Sequence, residues 1–222
     1  MTERELAARI ASRFESRWLQ GYVRGKLRSD AVYREVFPRL ASSSRPLLDL
    51  GCGVGVLALY LRQSGVTAPI LGIDFDARKI DAARGAAQPE QDIEFRVGDV
   101  RERIDFRGNV AMLDVLHYFS NDDQRTLLRN AAEYVSEGGV ILIRECLRDA
   151  SWRYRLTYLE EFFATSIGWL RGERLNFPTL ALIRSELSPE RFEESVRPLW
   201  GATPFNNHLL VYSTEHERKS LS

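Results

Sequence analysis

A glycine-rich turn preceded by an acidic residue is the strongest chemical signal in this sequence of 222 residues. The run Leu48-Asp49-Leu50-Gly51-Cys52-Gly53-Val54-Gly55 lies between a short apolar stretch and an amphipathic one. Glycines at such a turn adopt backbone conformations closed to other residues and let a ligand approach the main chain. We therefore predict that this turn contacts a ligand through Gly51, Cys52 and Gly53, with Cys52 as a small residue of the turn and not a nucleophile.

Two further acidic residues follow predicted strands, and their positions indicate a nucleoside ligand. Asp74 ends a strand about twenty residues beyond the glycines, where a carboxylate can bind both hydroxyls of a ribose. Asp99, in Val97-Gly98-Asp99-Val100, can accept a hydrogen bond from an adenine amino group. The neighbouring Phe75 and Val100 complete the predicted cofactor contacts. NAD enzymes and S-adenosylmethionine enzymes share these features.

Asp49 separates the two kinds of enzyme. A carboxylate in the strand before the glycines suits the cationic amino-acid end of S-adenosylmethionine and is unfavourable beside a pyrophosphate. An NAD-dependent oxidoreductase is the competing enzyme hypothesis, and the missing third glycine of GxGxxG, where Leu57 or its neighbours stand, weakens it. A non-catalytic module that binds S-adenosylmethionine is the alternative from another class.

A histidine near the end of the fourth predicted strand is the candidate base. It lies in Asp114-Val115-Leu116-His117-Tyr118-Phe119. A neutral imidazole, with an ordinary pKa near 6.5, can accept the proton of a phenol or hydroxyl during methyl transfer. In the other interpretation His117 shapes the pocket without moving a proton, and both interpretations stay open here.

Six side chains are candidates for contact with the substrate, and several of them have a structural alternative. Aromatic residues of the 147–187 region would roof a substrate or pack a core. Tyr22 would close over the cofactor or belong to a solvated helix end. His208 would face the substrate or support a hairpin. The full set is Tyr22, Tyr118, Trp152, Tyr158, Asn206 and His208.

The elements that must position these residues alternate between apolar strands and amphipathic helices. Continuous apolar strands separated by helices predict a parallel sheet covered on both faces. The predicted strands are 47–50, 70–74, 93–97, 110–115 and 140–144, and the predicted helices are 56–63, 77–86 and one from Ser120 or Asn121 toward Gly138. The runs 196–200 and 209–212 predict a β-hairpin.

The flanks of this alternating pattern predict helical additions. Leu6, Ile10, Phe14 and Trp18 recur every four residues, which predicts an opening helix with Thr2 and Glu5 as its capping box, interrupted by Gly21 and Gly25. A second helix is predicted over about 30–40. Ser188-Pro189-Glu190 predicts another helix start. We accordingly divide the chain into an N-terminal helical extension or cap, residues 1–45, and a main domain, 46–222, with a helical insertion at about 147–187.

The motifs D-L-G-C-G-V-G, G-I-D, G-D-V, D-V-L-H-Y and E-G-G, in this order, resemble the class I S-adenosylmethionine-dependent methyltransferases over roughly residues 46–146. The resemblance implies a Rossmann-like three-layer sandwich whose seven-stranded sheet is mostly parallel, with the last strand antiparallel. It implies that Asp49, Gly51 and Gly53 bind the methionine end of the cofactor, Asp74 the ribose and Asp99 the adenine. Asp114 and Leu116 would border the methionine moiety, and His117 would lie close to the methyl group.

The flanking segments show a second and less specific resemblance. Gly21–Leu27, Ser151–Arg155 and Pro198–Asn207 are similar to bacterial methyltransferases of aryl-polyene pigment and fatty-acid-like pathways. This similarity implies an aromatic or phenolic acceptor, methylated on oxygen or carbon, either free or carried on an acyl carrier protein.

Composition and charge limit the partners and the location that we expect for the protein. The formal net charge is zero, which gives no general attraction to nucleic acid or to acidic membranes. Residues 1–45 nevertheless carry ten Lys and Arg against five Asp and Glu, a solvated face or a docking surface for an anionic carrier protein. The two cysteines form no ligand cluster, so we expect no metal, no disulfide and a cytoplasmic location. No segment is predicted to span a membrane.

Overall fold

The computed structural model of the chain describes residues 1–88, 90–149, 175–200 and 206–214. Its strands form a seven-stranded sheet in the order β3-β2-β1-β4-β5-β7-β6, flanked by helices. The sheet is mostly parallel with an antiparallel last strand, which confirms the predicted fold class. The chain divides into two compact units, Met1–Ala111 and Met112–Ser222. The predicted boundary at residue 45 stays a prediction.

The first unit contains the three strands of the predicted nucleoside site. Its elements are α1 (Glu3–Ala11), α2 (Arg17–Ser29), α3 (Val32–Leu40), β1 (Leu47–Leu50), α4 (Val56–Gln63), β2 (Ile70–Asp74), α5 (Ala77–Ala87), β3 (Ile93–Val97) and the start of β4 (Asn109–Leu113). β1 pairs in parallel with β2, and β2 with β3. All four residues of β1 are buried, as expected for a strand covered on both faces. The strands and helices predicted between residues 47 and 97 are confirmed to within one residue.

The N-terminal helices differ from their prediction in where they break. The capping box of Thr2 and Glu5 is present, but α1 ends at Ala11 and α2 begins anew at Arg17. The hydroxyl of Ser16 accepts a hydrogen bond from the Leu19 N–H and so caps α2, inside what looked like one apolar stripe. The prediction that Gly21 and Gly25 interrupt the helix is wrong, because both lie within α2.

The second unit holds the rest of the sheet. After β4 come a 3₁₀ turn (Leu116–Tyr118), α6 (Asn121–Tyr134), β5 (Val140–Cys146), α7 (Leu180–Glu186), β6 (Phe192–Pro198) and β7 (Asn207–Thr214). β7 is antiparallel to both β5 and β6, which confirms the predicted hairpin with longer strands. Ser120 caps α6 as predicted.

One helix predicted in the second unit is absent. Ser188-Pro189-Glu190 forms a turn, in which the carbonyl oxygen of Ser188 accepts hydrogen bonds from the N–H groups of Arg191 and Phe192. β6 starts directly afterwards, and the buried Phe192 pairs with Thr214 of β7. Sheet pairing and burial therefore override the local helix-start signal.

Part of the predicted insertion at 147–187 lies outside the described residues, together with Trp152 and Tyr158. Within the described ranges, no helix is long and apolar enough to cross a bilayer.

Candidate functional site

The glycine turn after β1 has the backbone conformation that its sequence predicts. Gly51 has φ of 76° and Gly53 has φ of 55°, both in the left-handed region that glycine adopts without strain. The N–H groups of Gly51 and Cys52 both donate to the carbonyl oxygen of Ile73, at 2.8 and 3.0 Å, which ties the turn to β2. No heavy atom lies within 4 Å of a Cβ built on Gly53, so this side of the turn is open to a ligand.

The opposite side of the turn is closely packed against Phe95 of β3. A Cβ on Gly55 would lie 2.5 Å from Phe95 Cζ, and one on Gly72 would lie 2.6 Å from Phe95 Cδ1. Real Cβ atoms do not approach carbon this closely, so these two glycines allow the phenyl ring to pack under the turn. The third glycine of the run therefore serves packing as well as backbone conformation.

Asp74 stabilises the turn with both of its carboxylate oxygens. Oδ2 accepts a hydrogen bond from the N–H of Gly53 at 2.9 Å, and Oδ1 accepts one from the N–H of Asp76 at 2.9 Å. The side chain is buried. Because each carboxylate oxygen has two lone pairs, both can still accept a further hydrogen bond, as the predicted contact with ribose hydroxyls requires.

Asp49 is a buried acid beside Asp74. Its residue exposure is 2%, and none of the described residues donates a hydrogen bond to its carboxylate. Burial, and then the negative charge of Asp74, raises the pKa of Asp49 to about 7. A buried carboxylate without a donor is unfavourable on its own and is stabilised by a cation. Asp49 is therefore suited to a positively charged ligand group.

Cys52 is also buried, and its environment opposes reactivity. Burial, followed by the charges of Asp49 and Asp74, raises the pKa of the Cys52 thiol above its usual range. A thiol kept protonated is a poor nucleophile. This agrees with the interpretation of Cys52 as a small residue of the turn.

The residues predicted to contact adenine have different surroundings. The Asp99 carboxylate accepts hydrogen bonds from the guanidinium of Arg101 and from the Arg101 N–H, and the side-chain hydrogen bond lowers the pKa of Asp99. The Phe75 ring is 66% exposed, whereas Val100 is buried. An exposed aromatic ring directly after the predicted ribose-binding position, Asp74, is available to stack on a base.

The second unit places Asp114 in a strained backbone position. Asp114 has φ of 61°, its N–H donates to the carbonyl oxygen of Arg144 at 2.9 Å, and its Oδ1 pairs with Arg144 Nη1. A non-glycine residue in the left-handed region at a strand end is a feature of functional sites. Leu116, also predicted here, is fully buried.

His117 is held by a buried glutamate. Its Nδ1 lies 2.8 Å from Oε2 of Glu145 on β5, and the other oxygen, Oε1, accepts the Leu116 N–H at 2.7 Å. His117 is 4% exposed and Glu145 0%. In the tautomer in which Nδ1 donates to the Glu145 carboxylate, Nε2 has the lone pair. The arrangement can therefore take up a proton at Nε2.

Aromatic rings enclose the imidazole. The ring centroids of Tyr118 and Phe177 lie 4.1 and 5.2 Å from that of His117. Tyr118 is 41% exposed, so this predicted substrate residue reaches the surface next to the imidazole. The pair of His117 and Glu145, including His117 Nε2, is thus almost completely shielded from water.

The other described substrate candidates differ in how deeply they are buried. Asn206 is buried, and its side-chain nitrogen donates to the carbonyl oxygen of Leu147 at 2.8 Å and to Asp149. His208 is half-buried, and its Nδ1 donates to the carbonyl oxygen of Asn206 at 2.9 Å. Tyr22 is exposed and stacks on Trp18 of α2, with 5.6 Å between the ring centroids. The Asn206 amide therefore supports the backbone, and its predicted contact with substrate stays a prediction.

Sequence reasoning missed Glu145. The available signal was an acidic residue two positions after the apolar run Val140–Ile143, near the end of β5. Among the described residues, no group of three or more His, Cys, Asp or Glu side chains could hold a metal ion.

Comparison with known proteins matches residues 47–139 to a family described as a methyltransferase domain. Among curated proteins, the bifunctional O-antigen chain terminator methyltransferase/kinase WbdD of Escherichia coli is 45% identical over 64 residues, which are 27% of this chain and 9% of that protein. Carboxy-S-adenosyl-L-methionine synthase of Shewanella amazonensis is 26% identical over 120 residues, 51% of this chain and 49% of that protein. The chain thus spans at most about half of these relatives.

Solved structures share the fold at low sequence identity. The pyocyanin biosynthetic protein PhzM has a TM-score of 0.68 at 16% identity, covering 92% of this chain and 60% of PhzM. The magnesium protoporphyrin IX methyltransferase ChlM of Synechocystis PCC 6803, solved with bound SAH, has a TM-score of 0.64 at 19% identity, covering 95% of this chain and 94% of ChlM.

Proposed function

We propose that this chain, which carries a methyltransferase domain over residues 47–139, is an S-adenosylmethionine-dependent methyltransferase that acts on a hydroxyl of a small aromatic acceptor. The observation that carries the choice of a hydroxyl is the hydrogen bond of 2.8 Å between His117 Nδ1 and Glu145 Oε2. A base held in a defined tautomer serves an acceptor whose proton must leave.

The first unit offers chemical groups that suit the parts of S-adenosylmethionine. Asp49 offers a buried carboxylate that lacks a donor among the described residues, which suits the cationic amino-acid end. The open side of Gly53 allows close approach to the main chain, and Asp74 has lone pairs left for ribose hydroxyls. Phe75 and Asp99 with Val100 would border the adenine, and Asp114 and Leu116 the methionine moiety.

When bound, S-adenosylmethionine supplies a methyl group on a sulfonium, so that the acceptor oxygen forms a bond to carbon while the carbon–sulfur bond breaks and its electron pair stays on sulfur. His117 Nε2 accepts the proton of the acceptor hydroxyl. The Glu145 carboxylate stabilises the imidazolium that results, and its hydrogen bond to the Leu116 N–H fixes its own position. Base assistance of this kind contributes roughly 10²–10⁴-fold in rate.

The aromatic acceptor is the finer part of the proposal. Tyr118 offers exposed aromatic surface beside His117, which favours a flat apolar ring over a polar acceptor. Trp152, Tyr158 and His208 remain candidate contacts from the sequence. Oxygen is favoured over carbon as the acceptor atom because a phenol must lose its proton to become a strong nucleophile.

A carrier-bound acceptor would dock on α2. Arg17, Arg24 and Arg28 are exposed and follow one another at seven- and four-residue spacing, so they share a face of this helix. No acidic residue occurs between Ser16 and Ser29. This arginine row suits an anionic protein surface such as that of an acyl carrier protein.

The direct test is incubation of the purified chain with labelled S-adenosylmethionine and phenolic acids, both free and carrier-bound. We expect a labelled methyl ether, and His117→Ala should abolish its formation while calorimetric binding of S-adenosylmethionine persists. Binding of NAD instead of S-adenosylmethionine, or full turnover without His117, would contradict the proposal.

Docking of a carrier protein on α2 has a test of its own. The double variant Arg24→Glu with Arg28→Glu should slow methylation of the carrier-bound substrate only, and Arg9→Glu on α1 is the control. Equal rates on the free and the carrier-bound substrate would exclude carrier docking.

A further inference from the structure

A buried glutamine on α6 connects the backbone around His117 to the segment that precedes α7. Gln124 is 0% exposed, and its Nε2 lies 3.1 Å from the carbonyl oxygen of Leu116, 3.2 Å from that of Phe119 and 2.6 Å from that of Asn176. Leu116 and Phe119 flank His117 in the chain, whereas Asn176 is 52 residues from Gln124. One side chain thus holds both sides of the base and a distant segment.

The neighbouring carbonyl groups determine the orientation of the Gln124 side-chain amide. Nε2 has two N–H bonds for three carbonyl oxygens, so one N–H is shared between two of them. Oε1 is buried and accepts no hydrogen bond within the described part of the chain. A rotated amide would place this oxygen against three carbonyls, which repel it. A buried acceptor without a donor is rare in native proteins and calls for a reason, and here the reason is the donor role of Nε2.

Asn176 completes the connection from the other side. Its backbone N–H donates to the carbonyl oxygen of His117 at 2.8 Å, and its side-chain Nδ2 donates to the carbonyl oxygen of Phe119 at 2.9 Å. Nδ2 also donates to Asn121 Oδ1 at 2.9 Å, at the start of α6. The next residue, Phe177, packs its ring on the imidazole. Gln124 and Asn176 together are called the amide clamp below.

We infer that the amide clamp positions His117 for proton transfer, with Gln124 as its central positioning residue. This inference rests on the proposed role of His117 as base. Glu145 fixes the ring at Nδ1 and the chain at the Leu116 N–H, and these two hydrogen bonds leave the backbone after the imidazole to other residues. The clamp fixes that backbone through the carbonyl groups of His117 and Phe119. A displacement of about 1 Å in such a base lowers turnover by about 10²-fold.

Gln124→Met tests the clamp with little disturbance of packing. Methionine has a similar volume, cannot donate, and removes the unsatisfied Oε1. The carbonyl oxygen of Leu116 keeps the Phe119 N–H at 3.0 Å, and that of Phe119 keeps Asn176 Nδ2. Among the described residues, only the carbonyl of Asn176 loses its donor. The variant should therefore fold.

We expect Gln124→Met to lower kcat about 10- to 100-fold, with the KM for S-adenosylmethionine within about twofold of the wild type. The acidic limb of the pH profile of kcat should move, because the imidazole no longer meets Glu145 in the same geometry. Asn176→Ala should have a similar effect, and the double variant should lose little more, since both act through one structure. Thr126→Ala on the same helix is the control.

A readout independent of activity is the low-field proton signal of His117 Nδ1–H, which reports its hydrogen bond to Glu145. This signal should shift or broaden in both clamp variants and stay unchanged in Thr126→Ala. An unchanged signal and pH profile, or a loss of activity that only follows a lower unfolding temperature, would overturn the inference. If the wild type fails to methylate but the signal responds as expected, the proposed reaction is wrong and the positioning is right.

Discussion

The carboxylates of Asp49 and Asp74, on the neighbouring parallel strands β1 and β2, share one buried region of the first unit. Asp74 uses its two oxygens to hold the N–H groups of Gly53 and Asp76, whereas no described residue donates to Asp49. Both acids are predicted to bind the same cofactor, yet they differ in the hydrogen bonds that their carboxylates accept. Asp74 is part of the turn, whereas Asp49 keeps a buried carboxylate that a cation would stabilise.

The first prediction concerns stability without ligand. Because the pKa of Asp49 is raised to about 7, the folded chain keeps a proton that the unfolded chain releases near pH 4. The free energy of unfolding therefore falls as the pH rises from about 4 to 7, and the loss is complete above that window. Asp49→Asn should remove this part of the pH dependence and stabilise the ligand-free chain at pH 8 by a few kcal/mol, at ~1.4 kcal/mol per pKa unit.

Urea unfolding of both chains at pH 5 and pH 8 measures the difference, and the comparison cancels the other titrating groups. Asp74→Asn is a useful companion, because it removes the charge that assists burial in raising this pKa. Parallel pH curves for the wild type and Asp49→Asn would contradict the prediction.

The second prediction concerns binding. A cationic ligand stabilises ionised Asp49 and so lowers its pKa, which releases up to one proton when S-adenosylmethionine binds near pH 6. Calorimetry in buffers of different ionisation enthalpy measures this release. Asp49→Asn should release none and bind more weakly, and an equal release from both proteins would count against a contact between Asp49 and the cation.

The glycine turn shows what local sequence can predict. Gly51 and Gly53 have the positive φ that their place between a strand and a helix requires. The parallel strands and their helices were predicted from apolar runs alternating with amphipathic ones, because such patterns are properties of neighbouring residues, whereas the total of seven strands was implied by the family resemblance. Such features depend little on the rest of the chain, and they were predicted to within a few residues.

Glu145 and Gln124 show what local sequence cannot predict. Their roles depend on contacts with His117 and Asn176, 28 and 52 residues away, which no spacing rule describes. The helix predicted to start at Ser188-Pro189-Glu190 is absent for a related reason, because pairing of Phe192 with β7 overrides the local helix-start signal. Asp99 is an intermediate case, because its ion pair with Arg101, two residues along the chain, is local but was not predicted.

The third prediction tests the packing under the turn. Gly55→Ala would place a methyl group 2.5 Å from Phe95 Cζ at φ of 76°, so backbone strain of about 1–2 kcal/mol adds to overpacking of about 1–3 kcal/mol. Gly65→Ala is the matched control, since Gly65 has φ of 99° but nothing within 4 Å. Urea unfolding should show the larger loss in Gly55→Ala, partly reversed by Phe95→Leu; equal losses in the two alanine variants would show that Phe95 plays no part.

The fourth prediction concerns Glu145, whose negative charge stabilises the imidazolium that forms when His117 takes up a proton. Glu145→Gln keeps the shape of the side chain and an acceptor for the Leu116 N–H, but removes that charge. We expect kcat to fall about 10- to 100-fold, within the range that general bases contribute, and its acidic limb to move to lower pH.

The affinity for S-adenosylmethionine should stay the same in Glu145→Gln, because Asp49, Asp74 and the glycine turn are untouched. Steady-state kinetics from pH 5 to 9, with calorimetric binding at pH 8, separates the two effects. Glu190→Gln, at an exposed turn before β6, is the control for loss of one carboxylate. A kcat equal to that of the wild type across this range would mean that His117 shapes its surroundings without moving a proton, and the base would then have to be sought elsewhere.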